Sequence, residues 1–166
     1  ANEGCDDADQ DNDDGCANDC TQGAVVVASG ESAATTCALR DGGVRCWGLN
    51  EFGQLGRETS SDLGDEPGEL PADDSDAGGV VVQVAAGARF TCALLATAKV
   101  RCWGYSNQYS LGVVLPNDYF GDDPGEMGSH LPRVDLGQEL SIGAIDAGID
   151  FFGTGYAAVR AVKMTV

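Results

Sequence analysis

The chain repeats itself, and no other feature narrows its possible folds so far. The segment VVVASGESAATTCALRDGGVRCWGLNEFGQLG (25–56) lies over VVQVAAGARFTCALLATAKVRCWGYSNQYSLG (81–112). Both copies keep TCAL, VRCWG and a closing Leu-Gly, so that Cys37 matches Cys92, Cys46 matches Cys102 and Trp47 matches Trp103. The connecting segments repeat as well: GDEPGEL (64–70) precedes Pro71 as GDDPGEM (121–127) precedes Leu131-Pro132. A period of this length, rich in glycine and short apolar runs, points to a propeller or solenoid of small sheets.

Each copy contains a hairpin whose register can be worked out from turn chemistry. Asp41-Gly42 between two alternating runs is the preference of a type I′ turn. It opposes Arg40 to Gly43, Leu39 to Val44, Ala38 to Arg45 and Cys37 to Cys46. The cysteines then fall at a non-hydrogen-bonded pair, where Cα atoms approach to about 4.5 Å, within disulfide range. Cys37, Leu39, Val44 and Cys46 share one face and are expected to be buried, with Arg40 and Arg45 on the other. In the second copy a three-residue loop, Ala96-Thr97-Ala98, opposes Leu95 to Lys99, Leu94 to Val100 and again Cys92 to Cys102. The loop lengthens by one residue while the cysteines stay opposed. That favours Cys37–Cys46 and Cys92–Cys102 disulfides, with free buried thiols or a metal site as the alternatives. Trp47 and Trp103 are expected in the core or between blades.

The frame CALRDGGVRCWGLNEFGQLG (37–56) resembles the regulator-of-chromosome-condensation repeat, and more narrowly its Cys-bearing version in large secreted bacterial proteins. GDDPGEM and LPRVDLG (121–127 and 131–137) are similar to the spacer of that subfamily. The resemblance implies one four-stranded blade per repeat, in a ring that commonly closes with seven. A third copy begins at AIDAGID (144–150), but FFGTGYAAVRAVKMTV (151–166) has neither the cysteines nor Cys-Trp-Gly. The second copy carries SNQYSLG (106–112) where the family has N-x-x-G-Q-L-G, which weakens its turn chemistry. The expected fold is therefore all-β, a partial propeller of two blades plus a degenerate third. Its repeat domain spans 23–166, with blades over 24–79 and 80–139 and the degenerate unit over 140–166. Two blades leave open faces, and the runs VVVAS (25–29), VVVQVAA (80–86) and AAVRAV (157–162) are expected on them. The family founder's nucleotide exchange is not carried over, because no residue that would contact a GTPase can be matched.

Residues 1–22 read as a separate acidic segment. CDDADQDNDDGCANDC (5–20) resembles a short Cys- and Asp-rich repeat of large bacterial surface proteins, which usually has a fourth cysteine further upstream. Cys5, Cys16 and Cys20 bring the chain total to seven, so one thiol is free or bridged to another molecule. Asp7, Asp9, Asp11 and Asp13 alternate before Asp14-Gly15, as oxygen ligands of calcium do. A simply solvated acidic run and a three-thiolate zinc site are the competing readings.

Charge and composition exclude more than they assign. The formal net charge is −18, and no Lys or Arg precedes Arg40. Such a field repels phosphate backbones and argues against nucleic-acid binding. No apolar run approaches the roughly 18 residues of a membrane helix, and the opening ANEGCDD does not read as a signal peptide. His130 is the single histidine and lies in a polar linker, so a Ser-His-Asp or Cys-His centre would rest on it alone. The pairs Asp65-Glu66 and Asp122-Asp123 recur beside Pro-Gly and read as turn formers rather than glycosidase carboxylates. The expectation is a secreted or cell-surface interaction module that is not an enzyme and meets a protein or glycan partner. Two alternatives stand beside it. One is a structural protomer that self-associates through open blade edges or completes a longer chain, and the other is a secreted inhibitor or lectin-like binder.

Overall fold

Turn chemistry builds two hairpins, and the hairpins build the molecule. The computed structural model describes residues 26–29, 34–70, 72–106, 111–113, 117–135 and 142–147. Strands β1 (Val26–Ala28), β2 (Thr35–Arg40) and β3 (Gly43–Gly48) form one antiparallel sheet in the order β1-β2-β3. Strands β4 (Val81–Ala86), β5 (Phe90–Leu95), β6 (Val100–Tyr105) and β7 (Tyr119–Phe120) form the second, in the order β4-β5-β6-β7. A single 3₁₀ turn, Gly128–His130, follows among the described residues.

The registers are those the turns dictate. Asp41 and Gly42 both have positive φ, 53° and 83°, as a type I′ turn requires. Pairing runs from Arg40↔Gly43 out to Cys37↔Cys46. In the second sheet Ala98 takes the left-handed position of the three-residue loop, with φ 59°. Leu95 donates its N–H to the Lys99 carbonyl at 2.8 Å, and Cys92 lies opposite Cys102. Both pairs are disulfides, each with Cα atoms 4.1 Å apart.

The first blade has three full strands, and its fourth is reduced to a bridge between Gly48 and Leu63. Gly104 pairs Phe120 at the same place in the second blade, where β7 forms. The glycine that closes Cys-Trp-Gly is a steric necessity in both copies. Gly48 (φ 109°) and Gly104 (φ 99°) turn their missing side chains toward the carbonyls of Ala34 and Arg89.

The blades stack with one direction. Cys37, Leu39, Val44 and Cys46 of the first blade pack with Ala93, Leu95 and Trp103 of the second in one buried cluster. Cys92, Leu94, Val100 and Cys102 point the other way, into a second cluster that contains Ile142 and Ile145. Each disulfide thus faces the following unit and Trp103 faces the preceding blade, since neighbouring strand residues alternate between faces. Accordingly β5 is buried throughout, whereas β2 alternates between buried and more open positions. This head-to-tail arrangement is that of propeller blades, and the fold is an all-β partial propeller.

The apolar run at 80–86 is not an open face, against the expectation from its composition. Val81, Val84 and Ala86 join the cluster between the blades, and Val80 and Val82 are the exposed members. The reason is that β4, at the edge of its sheet, is paired to β5 and packed beside the first blade. The segments 1–22, 107–110 and 151–166 lie outside the described residues.

Candidate functional site

The seam between the blades is built by the loop that follows Cys-Trp-Gly. Asn50 is fully buried and ties this loop to itself. Its amide donates to the carbonyls of Thr59 (2.6 Å) and Ser61 (3.0 Å), and its side-chain oxygen accepts from the Leu55 N–H (2.9 Å). So held, the loop offers the Gln54 carbonyl to the second blade. Thr91 Oγ1 donates to it at 2.8 Å and Trp103 Nε1 at 3.0 Å. The glycine of Gln-Leu-Gly makes room here: a side chain on Gly56 would meet Trp103 Nε1 at 2.7 Å. Glu58 completes the seam by accepting the N–H groups of Gly125 (2.9 Å) and Met127 (3.1 Å).

At the open end of this seam three aromatic rings gather. The centroid of Phe52 lies 5.1 Å from that of Tyr105 and 5.4 Å from that of Tyr119, and the two tyrosine rings are 5.6 Å apart. These are favourable spacings for aromatic pairs. The Arg89 guanidinium sits over Phe52 at 4.9 Å and over Tyr105 at 5.9 Å, close enough for cation–π attraction. Tyr119 is the most open of the three, 40% exposed. It also lines a groove of about 490 Å³ with Asn117, Asp118, Asp122 and Asp123. Burial raises the Asp122 carboxyl above the ordinary carboxylate range, and Glu126 and Asp123 add repulsion.

The repeat supplies the scaffold of this site but not its chemistry. Tyr105 and Arg89 are joined by a backbone bond from the Tyr105 N–H to the Arg89 carbonyl (2.8 Å), and Leu49 and Ala34 are joined in the same way (2.9 Å). Leu49 thus stands in the first blade where Tyr105 stands in the second, and Ala34 where Arg89 stands. Counting back from the repeated Gly-Asp, Asp62 matches Tyr119. Thr91, Trp103 and Gly56 of the seam recur as Thr36, Trp47 and Gly112, whereas the residues that meet at this surface do not recur. None of the four was singled out from sequence. The available signal was their departure from an otherwise regular frame.

The residues that sequence did single out fall elsewhere. Asp7, Asp9, Asp11 and Asp13, with Cys5, Cys16 and Cys20, lie outside the described residues. Cys37–Cys46 and Cys92–Cys102 are structural bridges, one in each hairpin. His130 is an exposed member of the 3₁₀ turn. The paired acids of the linkers sit in turns organised by the glutamate that follows them. Glu69 accepts from the N–H groups of Gly64 (2.7 Å) and Glu66 (3.1 Å). Glu126 accepts from Gly121 (2.7 Å), Asp122 (3.2 Å) and Asp123 (3.1 Å). The recurrence of Glu in both linkers is therefore loop capping.

Family models of the regulator of chromosome condensation (RCC1) repeat match residues 41–94 in one form, and 25–54 and 81–110 in another. Together they span 25–110, just over half of the 166 residues. The chain belongs to the RCC1-repeat family. Among solved structures it is similar to Prp20p from Saccharomyces cerevisiae, described with its binding properties to Gsp1p and histones. The identity is 18% and the TM-score 0.56, over 87% of this chain and 32% of that one. It is also similar to a structure of Kap60 bound to yeast RCC1 (Prp20), at 23% identity and TM-score 0.52, over 77% of this chain and 26% of that one. Human WBSCR16 matches at 23% identity and TM-score 0.50, over 77% of this chain and 31% of that one. These identities speak for the RCC1 fold alone, and the chain spans about a quarter to a third of the length of these proteins.

Proposed function

We propose that this RCC1-repeat chain is a protein-interaction module that works by binding rather than by catalysis, in an oxidising extracellular setting. The observation that carries the reading is the Phe52–Tyr105–Tyr119 cluster at the blade seam, composed of residues the repeat does not require. Partly exposed aromatic rings in a concave setting are the usual anchors of protein interfaces. The two disulfides support the compartment, since such bridges persist where the redox poise is oxidising. A random peptide library displayed on phage and selected on the full chain tests the module. Binders should lose about fivefold to thirtyfold in affinity on a Tyr119→Ala chain, since stacking on one exposed aromatic contributes about 1–2 kcal/mol. Binders that hold the variant as tightly as the parent would refute the seam as the binding surface.

A second reading, self-assembly through the first blade, has its own support. Trp47 is only half-buried and the neighbouring Leu70 is 48% exposed. Their counterparts in the second blade, Trp103 and Met127, are covered by the first. Sedimentation of the chain at micromolar concentration separates a dimer through this face from a monomer, and a Leu70→Asp substitution should dissolve the dimer.

A further inference from the structure

The seam carries information about its partner as well as its place, and this step rests on the interaction reading above. Each of the three rings offers a π face, but only two of them hold a cation. Arg89 lies over Phe52 and Tyr105, while no described guanidinium or ammonium lies over Tyr119. Tyr119 is also the most exposed ring of the three, and the one that borders Asp118, Asp122 and Asp123. Arg89 thus shows within the molecule that this aromatic cluster accepts a guanidinium, and the groove places carboxylates beside the ring that lacks one. An arginine side chain satisfies both at once, since its planar head stacks on aromatic faces and its donors pair with carboxylates.

We propose that the groove at the blade seam binds a basic segment of a partner protein, with an arginine stacked on Tyr119 and its charge directed to Asp118, Asp122 and Asp123. Arg89 is then a resident competitor, holding the inner two rings and adding positive charge near the mouth. A groove of about 490 Å³ has room for such a side chain with its flanking backbone. Charge selects the class of partner: the whole chain carries −18, so a basic segment is also drawn by the long-range field.

Long-range attraction alone would bind basic peptides without any site, and the first linker provides the control. Asp65 and Glu66 occupy the repeat positions of Asp122 and Asp123, but Asp62 stands there in place of Tyr119. The probes are fluorescein-labelled hexa-arginine, hexalysine and hexaglutamate, titrated by fluorescence anisotropy against the full disulfide-bonded chain at physiological salt. Hexa-arginine should bind, more tightly than hexalysine, and hexaglutamate should not. Asp122→Asn with Asp123→Asn should weaken hexa-arginine at least about tenfold, and Tyr119→Ala by a similar factor. Asp65→Asn with Glu66→Gln, the same change in net charge, should weaken it less than about twofold. Arg89→Ala should tighten binding, whereas a purely structural Arg89 would give the opposite sign.

Equal losses from the two charge pairs would overturn the proposal, leaving only the field of an acidic protein. So would hexa-arginine binding that ignores Tyr119. The phage selection keeps this failure apart from failure of the module itself. Neutral or acidic binders that depend on Tyr119 would leave the interaction surface standing and remove the basic partner.

Discussion

The same substitution at the two tryptophans should have unequal consequences, because the repeat places them identically and the stacking does not. Trp103 is fully buried against the first blade, and its indole N–H donates to the Gln54 carbonyl at 3.0 Å. Trp47 occupies the matching position on the face that no described blade covers. Trp103→Phe removes a buried hydrogen bond, a net loss of about 1 kcal/mol. The Gln54 carbonyl still accepts from Thr91, which prevents a larger penalty. The smaller ring also leaves a cavity against Gly56 and Met127, costing about 1–2 kcal/mol more. The total is about 2–3 kcal/mol, against less than about 1 kcal/mol for Trp47→Phe at its half-buried site. Guanidinium unfolding followed by far-UV circular dichroism measures both, with the fitted slopes required to agree. Each variant retains one tryptophan, so emission adds a check: Trp103 alone should emit to the blue of Trp47 alone. Equal destabilisation, or a costlier loss at Trp47, would refute the directional stacking from which the magnitudes are derived.

Arg45 and Arg101 share a repeat position and make a second contrasting pair. Arg45 meets Asp74 at 2.7 Å in solvent, and Arg45→Ala should cost under about 1 kcal/mol. Arg101 is buried and donates to the carbonyls of Ala77 and Gly128, one in each linker, so Arg101→Ala should cost about 2–4 kcal/mol by chemical denaturation. Backbone N–H groups of Glu66 and Gly64 hold the Glu69 carboxylate below its ordinary range. Its contribution is present above pH 4.5 and is lost as pH falls through the lower folded value, which a carbon-detected NMR titration of Glu69 should show. Replacing Cys92 and Cys102 together by alanine opens a loop of about ten residues and should cost about 2–3 kcal/mol in thermal or chemical unfolding. Non-reducing peptide maps of the native chain should show no exchange between the two bridges.

Much of the fold was legible because its determinants are local. Asp41-Gly42 fixes one hairpin register, and the three-residue loop at Ala96–Ala98 fixes the other, so the cysteine pairing follows from counting. The periodic frame then gives the number of blades, since residues such as Asn50, Gly56 and Trp103 recur or fail to recur in plain view. Direction of stacking was less legible. Apolar residues fill both faces of β5, and alternation cannot say which face meets which neighbour when both are covered. The run at 80–86 read as an open surface for a related reason: apolar residues covered by an adjoining blade, as Val81, Val84 and Ala86 are, look in sequence like residues waiting for a partner.

The site was illegible for a different reason. Phe52, Arg89, Tyr105 and Tyr119 come from a loop, a turn and the ends of two strands, and none is unusual where it stands. They become a site only when the second blade is laid on the first, because the seam brings the end of one repeat's loop to the end of the next repeat's sheet. A repeat protein thereby separates its two tasks by position. Residues facing the adjoining blade must satisfy the same contact every time and are held to the frame, as Cys-Trp-Gly and the closing Leu-Gly are. Residues at the rim of a seam meet solvent and are free to differ, so each seam can present a different surface on the same scaffold. Here the seam between the two described blades presents three rings, one resident cation and a row of carboxylates. In a chain of such repeats, the positions that break the pattern and meet across a seam are the ones to mutate first.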